Sequence, residues 1–139
     1  MLLILTFLAC ITVSVAAEDI GATLKPYYEK LEKAVEKQSI NDAVELYHSQ
    51  GVIVKKGKYA VYGKEGITND YEVVWKFLGR HNFTLSNQAY EGTDNYKIAE
   101  FDFEILSERV PYIKGRMLHI WKKEGETLRI YHEQFESKL

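Results

Sequence analysis

The stretch Lys114-Gly-Arg-Met-Leu-His-Ile-Trp-Lys-Lys-Glu-Gly-Glu-Thr-Leu-Arg-Ile-Tyr-His-Glu-Gln-Phe135 decides how the whole chain is read. Two runs rich in aromatic and β-branched residues flank Lys123-Glu124-Gly125-Glu126, where the glycine supplies the positive φ that a tight turn needs. The segment is therefore expected to be a β-hairpin. Moving outward, His81 to Tyr90, Asn95 to Ile105, Ile113 to Lys122 and Thr127 to Glu136 read as strands. Their connections are turn-like: Glu91-Gly92-Thr93-Asp94, then Ser107 to Pro111, then Lys123 to Glu126. Short turns between consecutive strands predict an antiparallel meander.

Upstream the period changes from two to about 3.6. From Thr23 to Gln38, apolar side chains recur at Leu24, Tyr27, Tyr28, Leu31, Ala34 and Val35, which is one face of a helix. Pro26 suits only a first turn, which makes Thr23 the expected N-cap. Ser39 is expected to cap a second helix from Ile40 to His48, closed by Gly51, with His48 exposed at its end where a cation suits the dipole. Val52-Ile53-Val54 then returns through Lys55-Lys56-Gly57-Lys58 into Tyr59 to Tyr62, and the lysines read as a solvated hairpin tip. Ile67, Tyr71, Val74, Trp75 and Leu78 predict a third helix over Gly63 to Leu78, stopped by Gly79. The expected class is α+β: three N-terminal helices received on one face of an antiparallel sheet.

Met1 to Ala17 is apolar apart from Thr6, Thr12 and Ser14 and ends in Val15-Ala16-Ala17, small residues that suit signal peptidase. A secretory leader over residues 1–17 and one domain over residues 18–139 are expected, so the mature protein would be extracellular and free of membrane. The only cysteine, Cys10, lies in that leader, and stability must then come from an apolar core. Composition permits one, with 46% hydrophobic residues, ten Tyr and six Phe. A formal charge of −2 with interspersed signs gives no footprint for nucleic acid.

Several segments, taken in order, resemble the nuclear transport factor 2-like superfamily, in particular its SnoaL-like branch and the domain of unknown function 4440. They are Ala43-Val44-Glu45-Leu46-Tyr47 running into Gly51-Val52-Ile53-Val54, Tyr62-Gly63-Lys64-Glu65-Gly66-Ile67, Gly115-Arg116, Ile120 to Gly125, and Leu128 to Phe135. The resemblance implies a cone-shaped, strongly bent sheet wrapped around a long N-terminal helix, with an apolar pocket at the wide end. It also implies frequent sheet-mediated homodimers. Ketosteroid isomerases, polyketide cyclases, dehydratases, epoxide hydrolases and non-enzymatic modules share that fold, so fold does not select function. Many members of the branch place an acidic residue just before the first strand. Ser49-Gln50-Gly51 stands there instead.

Proton-transfer chemistry in such a cone needs a base and a hydrogen-bond donor in an apolar surround. Glu100, Asp102 and Glu104 share one strand face opposite Ala99, Phe101 and Phe103, and read as a solvated row. His119 shares a face with Gly115, Met117 and Trp121, and His132 with Leu128 and Ile130, so both are candidate acid–base groups. Tyr62, Trp75 and Met117 join them as candidate pocket-lining residues, with Tyr47, Tyr90 and Tyr112 as further hydroxyls. Asn82-Phe83-Thr84 is an N-glycosylation sequon. Histidine spacing and the absence of a thiolate in the mature chain argue against a zinc site, and no motif calls for a cofactor. Two functions follow. The first is a secreted module that binds a small apolar ligand in the cone or dimerises through its sheet; the second is an isomerase, cyclase or hydratase using the same pocket. A titratable group inside the cavity favours the enzyme, an apolar lining favours the binder, and a cavity plugged by Trp75 and Met117 excludes both.

Overall fold

The computed structural model describes residues 18–138, and the leader expected over residues 1–17 lies outside the described residues. The elements run α1 (Ile20–Glu36), α2 (Ile40–Glu45), β1 (Tyr47–Lys55), β2 (Tyr59–Tyr62), α3 (Gly63–Leu78), β3 (His81–Gly92), β4 (Tyr96–Ser107), β5 (Ile113–Glu124) and β6 (Thr127–Lys138). The meander forms as its turns require, with β3, β4, β5 and β6 antiparallel in succession. One six-stranded sheet results, in the order β2-β1-β6-β5-β4-β3, and its ends stay open at β2 and β3. The ladder between β1 and β6 is parallel, which the sequence reading did not anticipate.

Register breaks between Tyr47 and Val52, between Ser86 and Ala89, and between Ile120 and Trp121 interrupt three ladders. Each places unequal numbers of residues on paired strands, and such bulges bend a sheet. The helices pack on one face of the bent sheet. On α1 the buried stripe is Leu24, Tyr28, Leu31, Ala34 and Val35. Tyr28 meets Phe101 and Trp121 edge-on, with ring centroids 5.4 Å away in both cases. Leu24 is fully enclosed, so truncating it to Ala would cost about 2–5 kcal/mol.

Helix ends differ from expectation in two places. Asp19, not Thr23, caps α1 and accepts from the Ala22 N–H at 3.0 Å, which leaves Pro26 inside the helix. Pro26 is exposed, so the turn it leaves unpaired faces water. Ser39 does cap α2, accepting from the Asp42 N–H at 3.3 Å, but α2 stops at Glu45. The next residues are captured by β6: the Ile130 N–H donates to the Leu46 carbonyl at 2.8 Å, and Tyr47 pairs with Ile130. Gly51 therefore lies within β1, where a Cβ would come within 3.0 Å of the His48 carbonyl and 3.1 Å of the Ile130 carbonyl. His48 is buried on that strand rather than exposed at a helix end, and its Nδ1 accepts from the Gln50 N–H at 3.0 Å. Gly79 stops α3 as expected, with φ +67°.

Candidate functional site

Between α1, α3 and the inner face of the sheet lies a cavity of about 220 Å³. Aromatic and aliphatic side chains from eight elements wall it, Trp75 and Phe77 from α3, Phe83 from β3, Phe103 from β4, Met117 from β5 and Phe135 from β6 among them. Four residues with titratable side chains other than tyrosine interrupt the apolar wall: Lys55, Asp70, His81 and Glu133. Trp75 and Met117 thus form part of the wall without filling the space.

Glu133 is the end point of a buried chain of hydrogen bonds. It pairs across the β5–β6 ladder with His119, whose Nε2 lies 2.9 Å from Glu133 Oε2. His119 is 0% exposed and Glu133 is 7% exposed. On the far side of the imidazole, Nδ1 lies 3.0 Å from the Tyr28 hydroxyl, which accepts from Trp121 Nε1–H at 3.1 Å. On the far side of the carboxylate, the Tyr47 hydroxyl donates to the same Oε2 at 2.5 Å and lies 3.0 Å from the Tyr71 hydroxyl. Five elements, α1, β5, β6, β1 and α3, hold the six side chains. Among the described residues nothing donates to Glu133 Oε1.

Burial sets the protonation of these phenols. The phenols of Tyr47 and Tyr71 are raised well above the ordinary range, first by desolvation and then by the neighbouring Glu133 charge. Desolvation raises Tyr28 too, against the opposing hydrogen bond from Trp121. All three are therefore hydroxyl donors and not phenolate bases. Asp70, beside Tyr71 on α3, has its carboxyl raised by burial, an effect partly offset by the Tyr59 hydroxyl. Tyr59 in turn is pushed up to about 12, by burial and then by Asp70.

The candidates named from sequence fall in different places. His119 lies behind the cavity, in contact with it through Glu133. His132 pairs with Ile120 on the outer face of the sheet. Tyr62 is 67% exposed and lines no part of the cavity. Tyr47 belongs to the buried chain, whereas Tyr90 and Tyr112 are exposed. Glu100, Asp102 and Glu104 lie outside the cavity; Arg116 pairs with Asp102 at 3.0 Å and with Glu100 at 3.3 Å. Asn82 is exposed on β3, at a sheet edge. Among the described residues, no group of three or more His, Cys, Asp or Glu side chains is placed to hold a metal ion.

No family model matches this sequence, and neither does any curated protein. Solved structures do match. A nuclear transport factor 2-like superfamily protein from Salmonella enterica aligns with a TM-score of 0.76 at 17% identity, over 86% of this chain and 92% of that one. A ketosteroid isomerase-like protein from Erwinia carotovora gives 0.72 at 13%, over 88% and 99%. A hexachlorocyclohexane dehydrochlorinase from Novosphingobium barchaimii gives 0.73 at 14%, over 85% and 86%. The chain has the nuclear transport factor 2-like fold. Solved proteins with this fold include isomerase-like and dehydrochlorinase enzymes as well as proteins of unknown function, so function turns on the residues of this chain's cavity.

In the nuclear transport factor 2-like cone of this chain, Glu133 occupies its inward position because of the bulge on β6. Trp121 pairs with Ile130 and Ile120 with His132, so Tyr131 is one residue more than β5 can match. Alternation runs inward through Leu128 and Ile130, then resumes inward at Glu133 and Phe135. The extra residue sends His132 outward and Glu133 inward, reversing the assignment that strict alternation predicts. A signal was present in the sequence: Leu128 and Ile130 are even and Phe135 is odd, so one strand cannot bury all three without a shift of phase.

Proposed function

We propose that this chain is a secreted acid–base enzyme of the isomerase, cyclase or hydratase type, acting on a small apolar substrate in the cavity. The observation that carries this reading is the Glu133 carboxylate. One of its oxygens is fixed by His119 and Tyr47, and the other, in a largely apolar cavity, has no partner among the described residues. Such a group is oriented by its supports while its free oxygen remains able to take a proton. Lys55, Tyr59 and the Trp75 indole, all in the cavity wall, are the donors available to a developing oxyanion. The volume is below the roughly 300–1,000 Å³ of drug-sized sites, which favours a single small ring over a steroid-sized skeleton.

The test is solvent-deuterium incorporation, followed by NMR, into a panel of small cyclic hydroxyketones. Wild-type protein should accelerate exchange for at least one member, and Glu133→Gln should reduce that rate by about 10²–10⁴-fold, the contribution of a general base. Equal rates for the two proteins would remove Glu133 from the mechanism. A tightly bound small molecule with no exchange by either protein would return the site to the binding role. Secretion and a sheet-mediated homodimer are carried as parts of the proposal. The outer face of the sheet sets Ile98, Ile120 and His132 in one register row, half-buried, with Leu118 nearby, and sedimentation equilibrium decides whether this face pairs.

A further inference from the structure

The direction of every hydrogen bond in the buried chain follows from its end group. An indole N–H can only donate. Trp121 Nε1–H occupies a lone pair of the Tyr28 hydroxyl, and among the described residues His119 Nδ1 is the one acceptor within reach of the Tyr28 proton, which assigns Nδ1 as the bare nitrogen. The ring proton sits on Nε2 and is donated to Glu133 Oε2. From the opposite side Tyr47 donates to that same oxygen, so the Tyr71 proton goes to the Tyr47 oxygen.

All of these protons run toward Glu133 Oε2. What the chain turns toward the cavity is therefore lone pairs, on Glu133 Oε1 and on the Tyr71 oxygen, and both residues line the space. A bare carbonyl set against these atoms would oppose lone pairs to lone pairs.

We propose that the inner end of the cavity is a recognition site for a hydrogen-bond donor, and that its ligand is a small, largely apolar alcohol entering hydroxyl first. This names the substrate class of the site proposed above and rests on the cavity being that site, but it does not rest on turnover.

Cyclohexanol and cyclohexanone share a ring and differ in the polar group, so they are the probes. Titrated into the wild-type protein and followed by NMR or calorimetry, the alcohol should bind at least about tenfold more tightly, because a site built for a donor leaves its acceptors unpaired against the ketone. In Glu133→Gln, the His119 N–H and the Tyr47 O–H hold the amide oxygen at the place of Oε2, which turns the amide NH₂ into the cavity. The preference should then invert in favour of the ketone. Equal or tighter ketone binding by the wild type, the same order in Glu133→Gln, or no binding of either probe would overturn the proposal.

The ¹⁵N spectrum of His119 in the wild type tests the polarity without any variant. A protonated Nε2 and a bare Nδ1 are expected, and the reverse tautomer overturns the inference. Alcohol-selective binding without deuterium exchange would keep this proposal and sink the catalytic one.

Discussion

Replacing Tyr28 with Phe removes one oxygen and should have a large effect on stability. The ring stays, so packing against Phe101 and Trp121 is kept and no sizeable cavity opens. Two buried groups lose the one partner each has among the described residues, the Trp121 Nε1–H at 3.1 Å and His119 Nδ1 at 3.0 Å, and both residues are 0% exposed. An orphaned buried donor or acceptor costs about 1–3 kcal/mol, so the pair predicts a loss of about 2–6 kcal/mol. That is a large part of the roughly 5–15 kcal/mol that stabilises a domain. Tyr27→Phe is the internal control. Its hydroxyl accepts one bond, from the Leu128 N–H at 3.3 Å, and its loss predicts about 0.5–1.5 kcal/mol. Urea titration of both variants, at unchanged slope, reads the difference directly. A loss below about 1 kcal/mol for Tyr28→Phe, or no difference between the two, would refute the claim that the chain from Trp121 to Glu133 is a closed buried network. A water entering the site to replace the hydroxyl would appear as that outcome.

Gly115→Ala should destabilise strongly, because a Cβ there would sit 2.0 Å from the Glu136 carbonyl and 2.8 Å from the Phe103 ring, whereas Gly66→Ala in α3, with 3.7 Å to its nearest neighbour, should gain about 0.5–1 kcal/mol; thermal melts of the two should move in opposite directions. Asp70→Asn should stabilise the protein at neutral pH. Burial raises the Asp70 carboxyl, so between its ordinary value of 3.8 and the raised one the folded state binds more protons than the unfolded, and stability falls as pH climbs through that window. The advantage of Asp70→Asn should be absent below pH 3.8 and fully present above the raised value, as urea midpoints across pH will show. Expressed with its leader in a eukaryotic secretory host, the protein should carry a glycan that Asn82→Gln abolishes, read as a mass step removed by glycosidase.

Local chemistry made the architecture legible. Gly79, Gly125 and the Glu91-Gly92-Thr93-Asp94 turn fall where the structure breaks α3 and turns the meander, because positive φ is a property of single residues. The i, i+4, i+7 stripes of α1 and α3 identified buried faces for the same reason, since a helix face is set by spacing alone. Where a long-range contact competed with a local preference, the local reading failed. His48 and Gly51 looked like a helix end and its stop, yet the Leu46 carbonyl is taken by Ile130, more than eighty residues away in sequence, and the chain becomes a strand at Tyr47.

The site was less legible, and the cause is a single residue. Strict alternation places His132 with Leu128 and Ile130 and turns Glu133 to solvent, the ordinary position for a glutamate on a strand. Tyr131 breaks that alternation, and the parallel ladder with β1 is interrupted at the same level, between Tyr47 and Val52. The two irregularities bring Tyr47 and Glu133 within hydrogen-bond distance from strands that would otherwise present other side chains there. A carboxylate buried by phase shift has to be satisfied by its neighbours, and here His119 and Tyr47 both serve one of its oxygens. A fold that needed only a core could have filled the position with another aliphatic residue at lower desolvation cost. The bulge, the buried carboxylate and its second oxygen, without a partner among the described residues, are the features on which the proposed role of Glu133 rests.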